Sequence, residues 1–300
     1  MGFPHLPRFK RSAAAGLISL TDRDHAIIRL IHRHRFLRSS QIIALIGGSP
    51  QQPLRRLQLL YHHGYLERPR AQLDYFHHGG SRHMVYGLGS KGAGILKQES
   101  GGSVRKPPWG EKNRAVGRIF LDHTLMVSDV MVALELACRQ SGQIRLLTEV
   151  DLSLRSSRWK VTLQGGAKLG VIPDRIFALE FPRENGKRER ILFFLEADRG
   201  TMPVIRRNLS QTSMYRKFLA YAATWSQAIH LKRFGFHRFR VLTVTTNAAR
   251  VQSLIEACGQ LKRGHGLFLF ADQSVLAQPD LLHALIWQTG KSGAMESLLN

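Results

Sequence analysis

Two acidic positions at the borders of strand-like apolar runs constrain this chain most. Pro173-Asp174 lies between Val171-Ile172 and Ile176-Phe177-Ala178-Leu179, and Ile191-Leu192-Phe193-Phe194-Leu195 leads directly into Glu196-Ala197-Asp198-Arg199-Gly200-Thr201. Short runs rich in Ile, Leu, Val and Phe read as buried strands. Two neighbouring strands that end in carboxylates can hold one divalent cation between them. The pattern commits the middle of the chain to a sheet and predicts a carboxylate centre at one end of it.

Charge narrows the partners. Among 300 residues, Lys and Arg number 44 against 21 Asp and Glu, a net charge of +23. Such a surface attracts phosphate backbones or anionic lipid. No apolar run reaches the length of a membrane span, so nucleic acid is the expected polyanion and no membrane partner is expected. A hydrophobic fraction of 43% is enough for a real core in one large domain or two ordinary ones. Cys138 and Cys258 sit in apolar helical contexts and read as core residues, which suits a reducing cytoplasm. Residues 1–18 read as a flexible basic arm. The apolar stretch is too short for a signal peptide, and Leu6 stands where a myristoylation motif would need Ser or Thr.

Residues 19–97 read as a DNA-reading module. Thr21 and Asp24 form a capping-box start, followed by Ile27, Ile28, Leu30 and Ile31 on one face. A second helix from Ser39 or Ser40 carries Ile42, Ile43, Leu45 and Ile46 and closes at Gly47-Gly48. A third is expected to start at Pro53, with a buried stripe of Leu54, Leu57, Leu60 and Tyr61 and a stop at Gly64. Its outer face offers Gln51, Gln52, Arg55, Arg56 and Gln58, side chains that reach guanine and adenine edges in a major groove. Residues 65–68 and 84–88 predict a two-stranded hairpin around a basic, His-rich loop that includes Arg82. Three helices and a hairpin follow the order of a winged helix-turn-helix.

Residues 98–114, with Gly101-Gly102 and Pro107-Pro108, read as a linker to a domain over 115–300. There the expected order is helix, three strands, helix, strand, helix, strand, with a peripheral helical segment after Pro279-Asp280. A helix over about 213–225 puts Lys217 and Tyr221 one turn apart on one face. Arg199, Arg206 and Arg207 flank the acidic run and are candidate phosphate contacts. The basic run 183–190 reads as a hairpin turn around Asn185-Gly186 whose charges are solvated or track a DNA backbone, and the basic cluster 230–240 begins a strand, with Phe234, Phe236 and Phe239 expected in the core.

This element order resembles the core of the PD-(D/E)xK nuclease superfamily, a restriction-endonuclease-like αβββαβ domain in a mixed α/β chain. Asp174 matches the family's Asp and Glu196 its Glu, while Asp198 occupies the position of the family's Lys. The resemblance implies a Mg²⁺ site on Asp174 and Glu196, with Asp198 as a third ligand and Lys217 as the basic group supplied from the next helix. The whole arrangement, a winged helix ahead of the Pro-Asp strand, Glu-x-Asp-Arg-Gly-Thr and Lys-x3-Tyr, resembles the replication-relaxation family of bacterial plasmids and integrative elements over roughly residues 18–245.

That likeness implies a cytoplasmic DNA-binding protein of a mobile genetic element that acts in replication, relaxation or maintenance. Candidate partners are double-stranded DNA, a second copy of the chain, and replication or mobilisation proteins. Two readings of the acidic centre stay open: a Mg²⁺-dependent nicking site, or an inactive nuclease-like scaffold. A winged-helix transcriptional regulator is a further alternative.

Overall fold

The first helix begins where its capping residues place it. Asp24 N–H donates to Thr21 Oγ1 at 3.4 Å, and Thr21 N–H donates to Asp24 Oδ2 at 2.8 Å. This box opens α1 (Asp22–His34), whose Ile27, Ile28 and Ile31 are fully buried. The computed structural model describes residues 6–12, 16–73, 83–101, 109–154, 156–163, 165–183, 186–291 and 294–300; Arg82 lies outside them. The chain divides into two units, 1–128 and 129–300.

In the first unit, β1 (Phe36–Arg38) and α2 (Ser39–Ile46) follow α1, then α3 (Gln51–His62). Gly47 and Gly48 end α2 at φ 75° and 83°, a region that favours glycine. The third helix starts two residues before Pro53, earlier than expected. A first-turn N–H has no partner within the helix, so proline is tolerated there. Pro53, Leu57, Leu60 and Tyr61 form the buried face, and Leu54 is instead 44% exposed.

Strands β2 (Leu66–Glu67) and β3 (Val85–Leu88) pair as expected, but β1 joins them in an antiparallel sheet of order β1-β3-β2. Leu37 lies across from Tyr86, and Leu66 from Leu88. Gly87 is dictated by this packing, because a Cβ there would stand 2.6 Å from the Phe36 ring. Two short helices follow, α4 (Ser90–Glu99) and α5 (Trp109–Arg114). The latter shortens the expected linker. Asn113 is buried and donates to the Leu88 carbonyl at 2.9 Å, so 109–114 packs with the first unit. The unit boundary falls later, inside α6 (Arg118–Ser141).

The basic arm also departs from expectation, since residues 8–12 are docked. Arg11 donates to the Tyr61 carbonyl at 3.1 Å and pairs with Glu67. Arg68 donates to the Arg8 carbonyl at 2.6 Å, and Ser12 N–H donates to His62 Nδ1 at 3.1 Å. The cause is Glu67, which is only 2% exposed and needs cationic partners; Arg114 supplies the other at 3.0 Å. Arg11→Ala is expected to cost about 1–2 kcal/mol, because it removes a charged hydrogen bond while Arg114 remains. Thermal unfolding of wild type and variant checks it.

The second unit is built on a seven-stranded mixed sheet of order β12-β11-β10-β9-β8-β7-β4. Its strands are β4 (Arg145–Leu147), β7 (Arg175–Pro182), β8 (Arg188–Ala197), β9 (Phe239–Thr245), β10 (Phe268–Asp272), β11 (Trp287–Thr289) and β12 (Met295–Glu296). A separate hairpin of β5 (Trp159–Thr162) and β6 (Lys168–Val171) was not expected. β7 and β8 pair antiparallel over eight positions, while β8, β9 and β10 run parallel. The parallel crossovers carry α7 (Met214–Ser226) with α8 (Ile229–Phe234), and α9 (Ala248–Gly259). The expected first strand, 144–152, is only three residues long before it turns. The expected terminal helix is absent among the described residues. Trp287 is instead fully buried in β11, where antiparallel pairing with β10 covers the sheet edge.

One face of this sheet makes the core that positions the site. Ile176, Leu192, Phe194, Val241, Phe268 and Phe270 pack against Phe218 and Tyr221 of α7 and Leu254 of α9. Side chains alternate across a strand, so Glu196 falls on the same face as Leu192 and Phe194 and points toward α7. The Trp159 indole N–H donates to Thr224 Oγ1 at 2.8 Å and fastens the small hairpin to that helix.

Candidate active site

Asp174 is not inside a strand. It is a bend between β6 and β7, and its N–H donates to the Leu195 carbonyl at 2.9 Å. Asp174 Oδ2 accepts from Ala197 N–H at 2.8 Å. Because β7 and β8 are antiparallel, the start of one lies beside the end of the other, and Asp174 stands next to Glu196. Both occupy the end of the sheet where β8 and β9 finish, the place where open α/β sheets bind ligands.

Glu196 is 2% exposed, and α7 reaches both of its oxygens. Lys217 Nζ donates to Oε2 at 2.5 Å and the Tyr221 hydroxyl donates to Oε1 at 2.5 Å. The one-turn spacing expected of Lys217 and Tyr221 is what lets a single helix cap one carboxylate. Burial pushes the Glu196 carboxyl up; the Lys217 ammonium opposes this and Asp174 adds to it. Burial alone would lower Lys217, but the Glu196 and Asp174 carboxylates outweigh it and hold Lys217 above its ordinary value. Burial, then the Glu196 charge, push Tyr221 well above the ordinary tyrosine value, so it stays a neutral donor. Lys217 is the accessible rim, with a side chain 33% exposed.

Asp198 follows a different course. It is 5% exposed, and its carboxylate accepts Arg250 Nε at 2.7 Å and Nη2 at 3.2 Å. Thr245 Oγ1 donates to it at 3.0 Å and Gly200 N–H at 3.1 Å. Asp198 therefore ties the end of β8 to the first turn of α9. Arg250 was missed by sequence reading, since nothing local in a residue 52 positions away marks it as the partner. Glu149 likewise pairs with Arg175 through two bonds of 2.8 and 2.9 Å beside the Asp174 bend. Arg199 is half-buried; Arg206 and Arg207 are exposed on the loop leading to α7, with Arg206 bonded to Gln211 at 3.0 Å.

On the first unit, Gln51, Gln52 and Arg55 are exposed on α3 and Gln58 is half-buried. Arg56 is committed elsewhere. Its Nε donates to Asp24 Oδ1 at 2.9 Å and its Nη2 to the Ser19 carbonyl at 2.8 Å. The buried Asp24 of the capping box claims it from the face it was expected to share.

Two adjacent carboxylates suit Mg²⁺, which takes one or two such ligands and keeps its waters. Thr243, across from Glu196 on β9, is fully buried with no hydrogen-bond partner for Oγ1, so a further oxygen donor lies at the same spot. Asp198 is held by Arg250 through both oxygens, and Glu196 by Lys217 and Tyr221 through both of its own, so a cation at either carboxylate would share it with these protein donors. Among the described residues, no three His, Cys, Asp or Glu side chains gather in a group that could hold a metal.

The fold is thus a mixed α/β architecture with a polar centre at one end of its larger sheet. A family model described as replication-relaxation matches residues 28–237, from α1 through α8. The chain belongs to the replication-relaxation family, which ties it to replication or relaxation of mobile elements. No curated protein and no solved structure matches it. Among the described residues, no helix is long and apolar enough to cross a membrane.

Proposed function

We propose that this chain is a DNA-binding protein of a mobile element whose second unit nicks DNA at the centre formed by Asp174, Glu196 and Lys217. The observation that carries this reading is the lysine of α7 placed 2.5 Å from Glu196. Where the resembled superfamily carries a lysine on the strand this chain carries Asp198, and α7 brings the Lys217 ammonium to Glu196 instead. The element order and the Asp174–Glu196 pairing support a PD-(D/E)xK-like domain. Mg²⁺ held by the two carboxylates would supply an activated water and stabilise charge on the phosphate. The chain's own residues do the rest. Asp174 is fixed by the Ala197 amide. Lys217 presents an ammonium to the phosphate from the accessible side, and Tyr221 holds Glu196 in place. Arg199, Arg206 and Arg207 lie on the segment that a phosphate backbone would follow. Nicking of supercoiled plasmid with and without Mg²⁺ tests the reading.

Three helices and a three-stranded antiparallel sheet support a winged helix-turn-helix in the first unit, with Gln51, Gln52 and Arg55 of α3 entering the major groove. Double-stranded DNA is its ligand. Each phosphate neutralised contributes about −0.9 to the slope of log affinity against log salt for duplex DNA. Arg55→Gln is expected to weaken duplex binding about tenfold, within the range for one base contact. Fluorescence anisotropy over a salt series measures both; a slope near zero would sink the DNA reading.

A binding role without cleavage is the second reading. The observation that favours it is that both Glu196 oxygens and both Asp198 oxygens are engaged by the protein's own side chains.

A further inference from the structure

The second unit holds a cavity of about 830 Å³ at the other end of the sheet, among the starts of β4 and β8 and the approach to β9. Glu196 lies six residues beyond Arg190 along β8, about 20 Å at the rise of an extended strand, so the two places are separate. The cavity stands independently of the nicking centre.

Its rim is a set of oriented arginines. Arg145, Arg188 and Arg190 converge on the single carboxylate of Glu180 at 3.1, 3.0 and 2.7 Å. Glu180 is 3% exposed, whereas the Arg145 and Arg190 side chains are 67% and 57% exposed. One carboxylate balances one of three guanidiniums, so positive charge remains. Arg145 engages Glu180 through Nη1 and Arg190 through Nε, which leaves their other N–H donors to an outside ligand. Glu180 acts as a post that fixes the forks without neutralising them.

The acidic residues on the wall do not reverse this. Glu189 is paired by Arg183 and, at 3.2 Å, by Arg238. Asp151 accepts from the Thr148 N–H and hydroxyl, both at 2.8 Å. The apolar part is Phe234 and Phe236, half-buried and packed on the core, with the Phe234 ring edge-on to Trp159 at 5.3 Å. Guanidinium forks match phosphate oxygens, and a braced aromatic surface takes the face of a base.

We propose that this cavity is a nucleotide-phosphate site, which takes either the phosphorylated end of a single strand or a free mononucleotide. The two sources share one chemistry, a phosphate joined to a stackable base.

The test is fluorescence anisotropy of the full chain with a short 5′-phosphorylated single-stranded oligonucleotide, its dephosphorylated form, and adenosine monophosphate as competitor. The variants are R145Q/R238Q and, as a charge-matched control on an exposed loop, K262Q/R263Q. R145Q/R238Q is expected to weaken binding of the phosphorylated strand at least about tenfold and the dephosphorylated strand less, as loss of charged phosphate contacts should do. It should also flatten the salt slope by about 0.7, the value for the one phosphate that the site holds on a single strand. Competition by the mononucleotide in wild type assigns the site to small nucleotides as well; its failure assigns it to strand ends. If R145Q/R238Q unfolds early, R145Q alone repeats the measurement, because Arg188 and Arg190 keep Glu180 paired. Equal loss in the control, or no loss in either cavity variant, overturns the proposal.

Discussion

Arg56→Ala is expected to destabilise the first unit by about 3–5 kcal/mol, the cost of leaving one member of a buried ion pair without its partner. Asp24 is wholly buried and accepts from Arg56, Thr21 N–H and Thr21 Oγ1. A loss of this size is a large part of a domain's net stability. The pair can be separated from simple packing by a cycle: Asp24→Asn with Arg56→Gln should recover much of the loss, since no uncompensated charge is left. The pH dependence has a definite sign. Burial works to raise the Asp24 carboxyl, but hydrogen bonds from Arg56 and Thr21 outweigh it and hold the group below 3.8, the ordinary value. In the unfolded chain Asp24 binds its proton first, so its contribution is present above that value and is lost as pH falls through the folded one. Thermal melts of wild type in that acid window should fall more steeply than those of Asp24→Asn. An Arg56→Ala protein that melts normally but loses DNA affinity would return Arg56 to the recognition face.

The second large effect concerns the nicking centre. Lys217→Ala is expected to lower nicking about 10²–10³-fold, the range for removing one group that stabilises transition-state charge. Lys217→Arg should rescue charge but not the compact ammonium geometry, and so recover only part. Glu196→Gln keeps the shape of the site and an acceptor for Tyr221 while removing the charge. It should abolish nicking, with a smaller loss of stability than Arg56→Ala because Lys217 reaches solvent. Single-turnover plasmid cleavage beside thermal unfolding distinguishes this from a merely structural role, which would move the melt and not the rate.

The parts of the fold that were legible in the sequence are those set by short-range rules. The capping box, the Gly47-Gly48 stop and the Lys217–Tyr221 spacing all follow from contacts within four residues. The Asp174–Glu196 meeting was legible too, because antiparallel neighbours bring one strand's start to another's end. What escaped depended on partners distant in the chain. Phe36-Leu37-Arg38 is too short to show strand alternation, and becomes a strand only because Val85–Leu88 lies alongside. The arm looked flexible until the buried Glu67 claimed Arg11. Arg56 and Asp198 were assigned outward roles by residue type, and each is held inside by one distant opposite charge. The tail over 281–287 has an apolar run fit for a helix, and pairing along the sheet edge decides otherwise.

The measurement that most directly tests the account is cleavage of supercoiled plasmid by the full chain with Mg²⁺, with Mn²⁺ and with EDTA, comparing wild type, Asp174→Asn and Glu196→Gln. The account predicts metal-dependent conversion to nicked circles in wild type, abolished by EDTA and lost in both variants while all three proteins still bind DNA. Nicking that survives in both variants, or DNA bound by all three with no cleavage in any metal, would contradict it.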